Sequence, residues 1–190
     1  MKNNETFKEY VAPILVLVCI CLVVTAALAA TFGIADPIIK ENTKKAADAA
    51  RVELLAEADS FTAYEGELAV CEADKVFVTE CYIADNGAGM VVTASTKSFG
   101  GALTEMIGID ADGKITGVKV TGHADTPGLG TKAHDAAFVD QYKGLAEITS
   151  TTAKDEAAVN HVTGATISSN AVHYGVYAAM EQYKIVGGAK

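Results

Sequence analysis

The segment HVTGATISSN, residues 161–170, places hydroxyl side chains on both sides of a Gly-Ala pair, just ahead of an apolar helical pattern. Gly164 and Ala165 carry almost no side chain, so a bulky ligand can approach the backbone closely. A helix start also offers free backbone N–H groups and the positive end of the helix dipole, which favour a phosphate. The residues alone leave two interpretations open, a phosphate site around Thr163 and Thr166, or a helix cap in a surface turn.

Catalysis by these hydroxyls has little support in the sequence. A nucleophile needs a base at useful spacing, and His161 is no more than a candidate for it. A nucleotide-binding loop of the GxxxxGK[ST] type is also absent, because no lysine follows TGAT. Phosphate binding is therefore the chemistry that the pattern favours.

A helix is predicted over SSNAVHYGVYAAMEQYK, residues 168–184, directly after these hydroxyls. Ser168 or Ser169 is a natural N-cap for it. Six residues recur at helical spacing on one face, and we expect them in the core: Val172, Gly175, Val176, Ala179, Met180 and Tyr183. TGAT would then lie at the mouth of this helix.

Strand patterns dominate the chain between residue 59 and this helix. The stretches 75–83 and 90–95 are rich in β-formers, and the stretch 103–121 reads as a hairpin with Asp-Gly in its turn at 110–113. The stretch 122–133 is too rich in Gly and Pro for regular structure.

A short helix is predicted over 133–144, ending near Gly144. Strands followed by segregated helices indicate an α+β fold, with antiparallel strands and flanking helices.

An uncharged apolar run of 25 residues, 11–35, precedes this domain. It is long enough to cross a bilayer as a helix, and we interpret it as a retained anchor behind an N-terminal tail, 1–10. A cleavable signal peptide is the alternative, since Ala27-Leu28-Ala29 offers a cleavage site. Asp36-Pro37 predicts the start of a second, membrane-proximal helix or linker over 36–58. The soluble domain would then cover 59–190.

Charge excludes one class of partner. The charges of the first 35 residues cancel, so the net charge of −9 lies on residues 36–190. Such a domain lacks the clustered Lys and Arg that nucleic-acid binding requires. The Lys and Arg beside the anchor favour a cytoplasmic domain slightly.

The four cysteines do not indicate a metal site. Cys19 and Cys21 lie on nearly opposite faces of a helix, and no CxxC accompanies Cys71 and Cys81. The last two are predicted as buried thiols, with a disulfide possible in an oxidising compartment.

The order of motifs resembles membrane-bound FMN-binding subunits of ion-translocating oxidoreductases. TGATISS resembles their flavin-attachment motif, and HADTPGLG at 123–130 resembles their His-x-Glu-Thr-Pro-Gly-Leu-Gly motif. The Gly-rich SFGGAL at 98–103, the hairpin at 106–120 and QYKG at 141–144 follow the same order, behind an anchor. The compact length is similar to the G subunit of the Rnf complex, and the alternative is the C subunit of the sodium-pumping NADH:quinone reductase.

This resemblance implies a cofactor and a site. FMN would be joined through its phosphate to Thr166 by a separate flavin transferase. Thr163, Gly164 and Ala165 would cradle the phosphate, and Thr126 and Leu129 would contact the ring. A membrane-tethered protein that binds FMN noncovalently remains an alternative.

The resemblance also implies a place in a complex. The chain would be a single-pass protein of the cytoplasmic membrane, with its FMN domain on the extracytoplasmic side. It would relay electrons among iron–sulfur and flavin subunits of a ferredoxin:NAD⁺ oxidoreductase. It would have no catalytic residues, metal or substrate turnover of its own. One departure from the family pattern is Asn160, where an Asp often precedes the acceptor threonine by six residues.

Overall fold

The structure is a computed structural model that describes residues 10–188. Its contacts divide the chain into two units, with the boundary between Ala46 and Ala47. One continuous helix, α1 (Ala12–Leu54), runs through this boundary. Its most apolar window has a mean hydropathy of 2.9, so it is long and apolar enough to cross a membrane.

The second helix predicted to start at Asp36-Pro37 is wrong, because Pro37 lies inside α1. The ring of an interior proline meets the carbonyl four residues earlier, which here belongs to Gly33. Because residue 33 is glycine, no side chain adds to the crowding at this contact. Asp36 pairs with Lys40 across one turn at 2.8 Å instead of capping a new helix.

The second unit is built on an antiparallel sheet. Its strands are β1 (Phe61–Ala63), β2 (Val70–Glu72), β3 (Val76–Ala84), β4 (Gly89–Ser98), β5 (Gly101–Asp110) and β6 (Ile115–Gly122). They lie in the order β1-β3-β4-β5-β6, with β2 also paired to β3. The hairpin predicted between β5 and β6 is confirmed. Asp110 accepts the backbone N–H groups of Asp112 and Lys114 through one side-chain oxygen.

Helices cover both faces of this sheet, so the predicted α+β fold is confirmed. The helix α3 (Thr166–Val186) packs on one face, against core residues such as Val92, Leu103 and Ile107. The last turn of α1 packs on the other face, where Leu54 and its neighbours meet Val91 and Met106. Alternating residues of β4 and β5 thus pack into the two cores on opposite faces of the sheet. Residues 47–58 belong with the sheet for this reason, whereas the sequence placed the domain boundary at 59.

The helix predicted over 133–144 is broken into three short pieces. A 3₁₀ turn (Gly130–Ala133), the single helical turn α2 (Ala136–Val139) and a second 3₁₀ turn (Asp140–Tyr142) replace it. Asp135 interrupts the run because its backbone is extended, with φ −73° and ψ 152°. Gly144, at φ +81°, ends the segment close to the predicted position.

The cysteines of the domain are not joined. Cys81 is buried as predicted, while Cys71 is half-buried. Burial raises the pKa of the Cys81 thiol to about 12.

Candidate functional site

A cleft of about 280 Å³ lies where three segments meet: the β4–β5 turn, the loop after β6 and the start of α3. Nine residues line it: Phe99, Thr126, Leu129, Gly130, Gly164, Ala165, Thr166, Ile167 and Ser168. Five of the six residues singled out in the sequence are among them. The sixth, Thr163, is exposed beside the cleft but is not part of its lining.

The start of α3 supplies unpaired backbone donors to this cleft. The helix begins at Thr166, and the first helical hydrogen bond is donated by Ser169 to Ala165. Across residues 10–188, no hydrogen bond uses the backbone N–H groups of residues 166–168. These donors, together with the helix dipole, suit an anionic group.

The N-cap predicted at Ser168 or Ser169 is wrong, since both serines lie in the first turn of α3. The N-cap position belongs to Ala165, which has no hydroxyl to offer. Ser169 is buried and its hydroxyl accepts the N–H of Val162 at 3.0 Å, so it holds the preceding loop rather than the helix start. The first amides of α3 are therefore left for another partner.

The loop ahead of α3 leaves room above these amides. Gly164 has φ +85°, a left-handed conformation that side chains rarely adopt. A Cβ at this position would also contact Leu129 Cδ1, at 3.7 Å. Glycine therefore lets the chain turn sharply into the helix while keeping the cleft open.

The hydroxyl of Thr166 is exposed at the mouth of the cleft. Among the described residues it makes no hydrogen bond, and no histidine or carboxylate is bonded to it. No base within hydrogen-bond distance is therefore seen beside this hydroxyl in the described part of the chain.

An apolar rim surrounds the cleft, and sequence reasoning missed most of it. Phe99 is 70% exposed, Ile167 is 54% exposed and Leu129 is 48% exposed. Exposed large apolar side chains that converge on one cleft indicate a binding surface for an apolar ligand or partner. Phe99 lies within SFGGAL and Ile167 lies within TGATISS, and this membership of two quoted motifs is the signal that could have identified them.

The buried carboxylate of Asp125 lies behind the cleft wall. The hydroxyl of Ser98 donates to its Oδ2 at 2.6 Å, and the N–H of Gly100 donates to its Oδ1 at 2.8 Å. His134 Nε2 lies 3.1 Å from the same Oδ2. Burial alone would raise the pKa of Asp125, but the donors Ser98, Gly100 and Ser168, and then His134, lower it below the ordinary value. The carboxylate is therefore ionised at neutral pH.

Two histidines extend this group towards solvent. The rings of His123 and His134 lie 4.4 Å apart between centroids, with His123 exposed. Burial, and then His123, lower the pKa of His134, and the opposing effect of Asp125 does not compensate. His134 is therefore neutral at pH 7 and donates from Nε2, because an ionised carboxylate can only accept.

Asn160 lies in an exposed turn ahead of the TGAT segment. Its backbone N–H donates to Gln141 Oε1 at 2.8 Å, and its side-chain amide donates to the same oxygen at 3.3 Å. Gln141 in turn donates to the Asn160 carbonyl at 3.3 Å. Asn160 thus connects this turn to the segment that contains QYKG.

Comparison with known proteins identifies the family. The family described as the FMN-binding domain matches residues 98–181, which include the whole cleft lining. The G subunit of the proton-translocating ferredoxin:NAD(+) oxidoreductase complex of Clostridium ljungdahlii is 30% identical, over 90% of this chain and 89% of that protein. The G subunit of the Na(+)-translocating complex of Acetobacterium woodii is 30% identical over the same shares.

A solved structure, NqrC of Shewanella oneidensis, is 21% identical, with a TM-score of 0.41 over 56% of this chain and 61% of that one. The similarity to the two G subunits over 90% of the chain and the match to the FMN-binding domain lead to one assignment. The chain belongs to the family of G subunits of ion-translocating oxidoreductase complexes.

Proposed function

We propose that this chain is the FMN-carrying electron-transfer subunit of a membrane-bound, ion-translocating ferredoxin:NAD⁺ oxidoreductase complex, with FMN attached through its phosphate to Thr166. One observation carries the proposal. The exposed Thr166 hydroxyl and the free amides of α3 open into one cleft with Thr126, Leu129 and Gly164. This cleft lies within the matched FMN-binding domain.

The charge of the cleft favours covalent attachment over simple binding. None of the residues that line it is charged, and the chain carries a net charge of −9. A free flavin phosphate would therefore be held by uncharged donors alone, namely backbone N–H groups and hydroxyls, against the overall negative field. An ester to Thr166 removes one phosphate charge and makes retention independent of affinity.

The residues of the cleft have separate tasks under this proposal. The N–H groups of residues 166–168 hold the phosphate oxygens, and Gly164 with Ala165 keeps side chains out of their way. Thr126 and the apolar rim of Phe99, Leu129 and Ile167 position the flavin ring and cover part of it from water. FMN supplies electron exchange in single steps, which this chain does not provide by itself.

The membrane arrangement is the second part of the proposal. Residues 11–35, which form the start of α1 from Ala12 on, span the membrane once, and residues 36–46 connect this span to the domain. The domain faces the extracytoplasmic side, where a flavin transferase modifies Thr166. Partners are the other subunits of the complex, as the names of the similar subunits suggest. Under this proposal they include membrane, iron–sulfur and flavin subunits.

The experiment that tests attachment is in-gel flavin fluorescence after denaturation. The full chain is co-expressed with a flavin transferase, beside Thr166→Ala. The matched control is Thr151→Ala, which removes an exposed threonine outside the cleft. We expect fluorescent bands for the wild type and the control, and a dark band for Thr166→Ala. A dark wild-type band, with the transferase active on another protein, would leave only noncovalent binding.

A further inference from the structure

The segments that line the cleft are held together by few apolar contacts. Thr126 to Leu129 are all exposed, and so is Phe99 in the β4–β5 turn. Gly100 and Gly101 in that turn add no side chains. The relative position of the turn, the loop and α3 therefore depends on polar contacts beneath them.

Asp125 provides these contacts from a fully buried side chain, 0% exposed. Its Oδ1 accepts from the turn at Gly100 N–H, and its Oδ2 accepts from the end of β4 at the Ser98 hydroxyl. His134, beyond the loop, reaches the same Oδ2. One carboxylate thus joins the turn, the loop and the segment that leads to α2, and both of its oxygens are used.

The backbones around this carboxylate are packed too tightly for side chains. A Cβ at Gly100 would lie 2.1 Å from the carbonyl oxygen of Ala124. A Cβ at Gly130 would lie 2.8 Å from the Ser168 hydroxyl and 2.9 Å from Asp125 Cβ. Ser168 belongs to the first turn of α3, so the loop, the Asp125 side chain and the start of α3 come close together around Gly130. A displacement of Asp125 would be transmitted to the amides beside Thr166.

We propose that Asp125 is a positioning residue for flavin attachment, because its carboxylate fixes the three segments that present Thr166 and its neighbouring amides. This role rests on the proposed function of Thr166. Asp125 does not touch the reacting hydroxyl and acts through Gly100, Ser98 and Ser168. His134 keeps the carboxylate oriented, since its Nε2 donates and its Nδ1 has no partner within residues 10–188.

The test compares Asp125→Asn with the wild type, each as the full chain co-expressed with a flavin transferase. Asparagine has almost the same size, but it turns one acceptor oxygen into a donor that faces other donors. We expect the flavin bound per chain, measured by fluorescence after denaturation, to fall at least about tenfold. The control is Asp112→Asn at the β5–β6 turn, whose side chain is 80% exposed, and it should keep the wild-type flavin content.

Hydrogen exchange on the full chain without flavin tests the bracing directly. Asp125→Asn should remove the protection of the Gly100 amide and increase exchange in the loop 122–133, while β3 and the second half of α3 keep theirs. A general loss of stability would increase exchange in all of these elements. The pKa of His134, followed by NMR, should also fall in this variant, because Asp125 raises it.

The outcomes separate this role from the function on which it rests. A wild-type chain without flavin would overturn the attachment site and this role together. A fluorescent wild type with an equally fluorescent Asp125→Asn would overturn the role of Asp125 alone. If Asp125→Asn does not fold, the flavin content of Ser98→Ala is measured instead. This substitution removes one donor and should lower flavin content several-fold, and unchanged content would refute the proposal.

Discussion

Glu105 in β5 is a buried carboxylic acid, and its burial makes the stability of the domain depend on pH. It is 0% exposed on the α3 face of the sheet, and neither carboxylate oxygen has a hydrogen-bond partner within the described part of the chain. Burial raises the pKa of Glu105 well above its ordinary value of 4.5. The folded protein therefore keeps a proton on Glu105 at pH values where the unfolded chain has lost it.

The sign of the pH dependence follows from this difference. Above pH 4.5 the folded state binds one more proton than the unfolded state, so the free energy of unfolding falls as pH rises. The slope is about 1.4 kcal/mol per pH unit, until the pH reaches the folded pKa. Glu105→Gln keeps the shape but cannot titrate. The variant should match the wild type near pH 4 and become more stable at higher pH, by about 1.4 kcal/mol for each further unit.

Urea unfolding of the full chain in detergent, at pH values between 4 and 8, measures this difference. Tyrosine fluorescence can follow it, because the chain has seven tyrosines and no tryptophan. The control is Glu65→Gln, which changes an exposed glutamate and should leave the curve unchanged. If the free energies of unfolding of Glu105→Gln and the wild type changed with pH in parallel, the assignment of a buried, protonated Glu105 would be refuted.

Three further predictions concern the cleft and the core. Thr163→Ala should retain the flavin content of the wild type. Gly164→Val should lose most of the flavin, because valine strongly disfavours the φ of +85° at this position. Flavin fluorescence after denaturation measures the flavin content of both variants. Gly175→Ala should lower the urea midpoint of unfolding, because the added Cβ would lie 1.7 Å from Glu105 Oε1. The decrease in the midpoint should be smaller in a Glu105→Ala background. Equal decreases in the two backgrounds would contradict the contact. Cys81 should resist alkylation by iodoacetamide at pH 8 until urea unfolds the domain, because the thiol is buried and burial raises its pKa to about 12. Mass spectrometry measures the labelling, and fast labelling of Cys81 in the folded chain would contradict this prediction.

Local patterns were sufficient for the strands β3 to β6 and for the apolar face of α3, but not for the short strands β1 and β2 or for the first turn of α3. The β5–β6 hairpin follows from Asp110 and Gly113, whose preferences act over four residues. The apolar face of α3 follows from spacing, because Val172 and Val176 must share one side of any helix. The same local rules failed at Pro37, where the helix continues despite the missing N–H.

The polar groups beneath the site could not be predicted in this way. Asp125 and Ser98 are 27 residues apart, and their hydrogen bond exists only after the sheet has folded. Glu105 interrupts the apolar alternation of β5, yet nothing in its neighbours shows that Gly175 leaves space for it. The residues of the cleft were found because their motifs are short and contiguous, whereas their support comes from distant parts of the chain.

Mass spectrometry of the peptide that contains Thr166, from chain purified after co-expression with a flavin transferase, tests the central proposal most directly. We predict that this peptide carries the mass of FMN joined as a phosphoester, and that fragmentation places the addition on Thr166. An unmodified peptide from a preparation that contains flavin, or an addition on another residue, would contradict the assignment of Thr166.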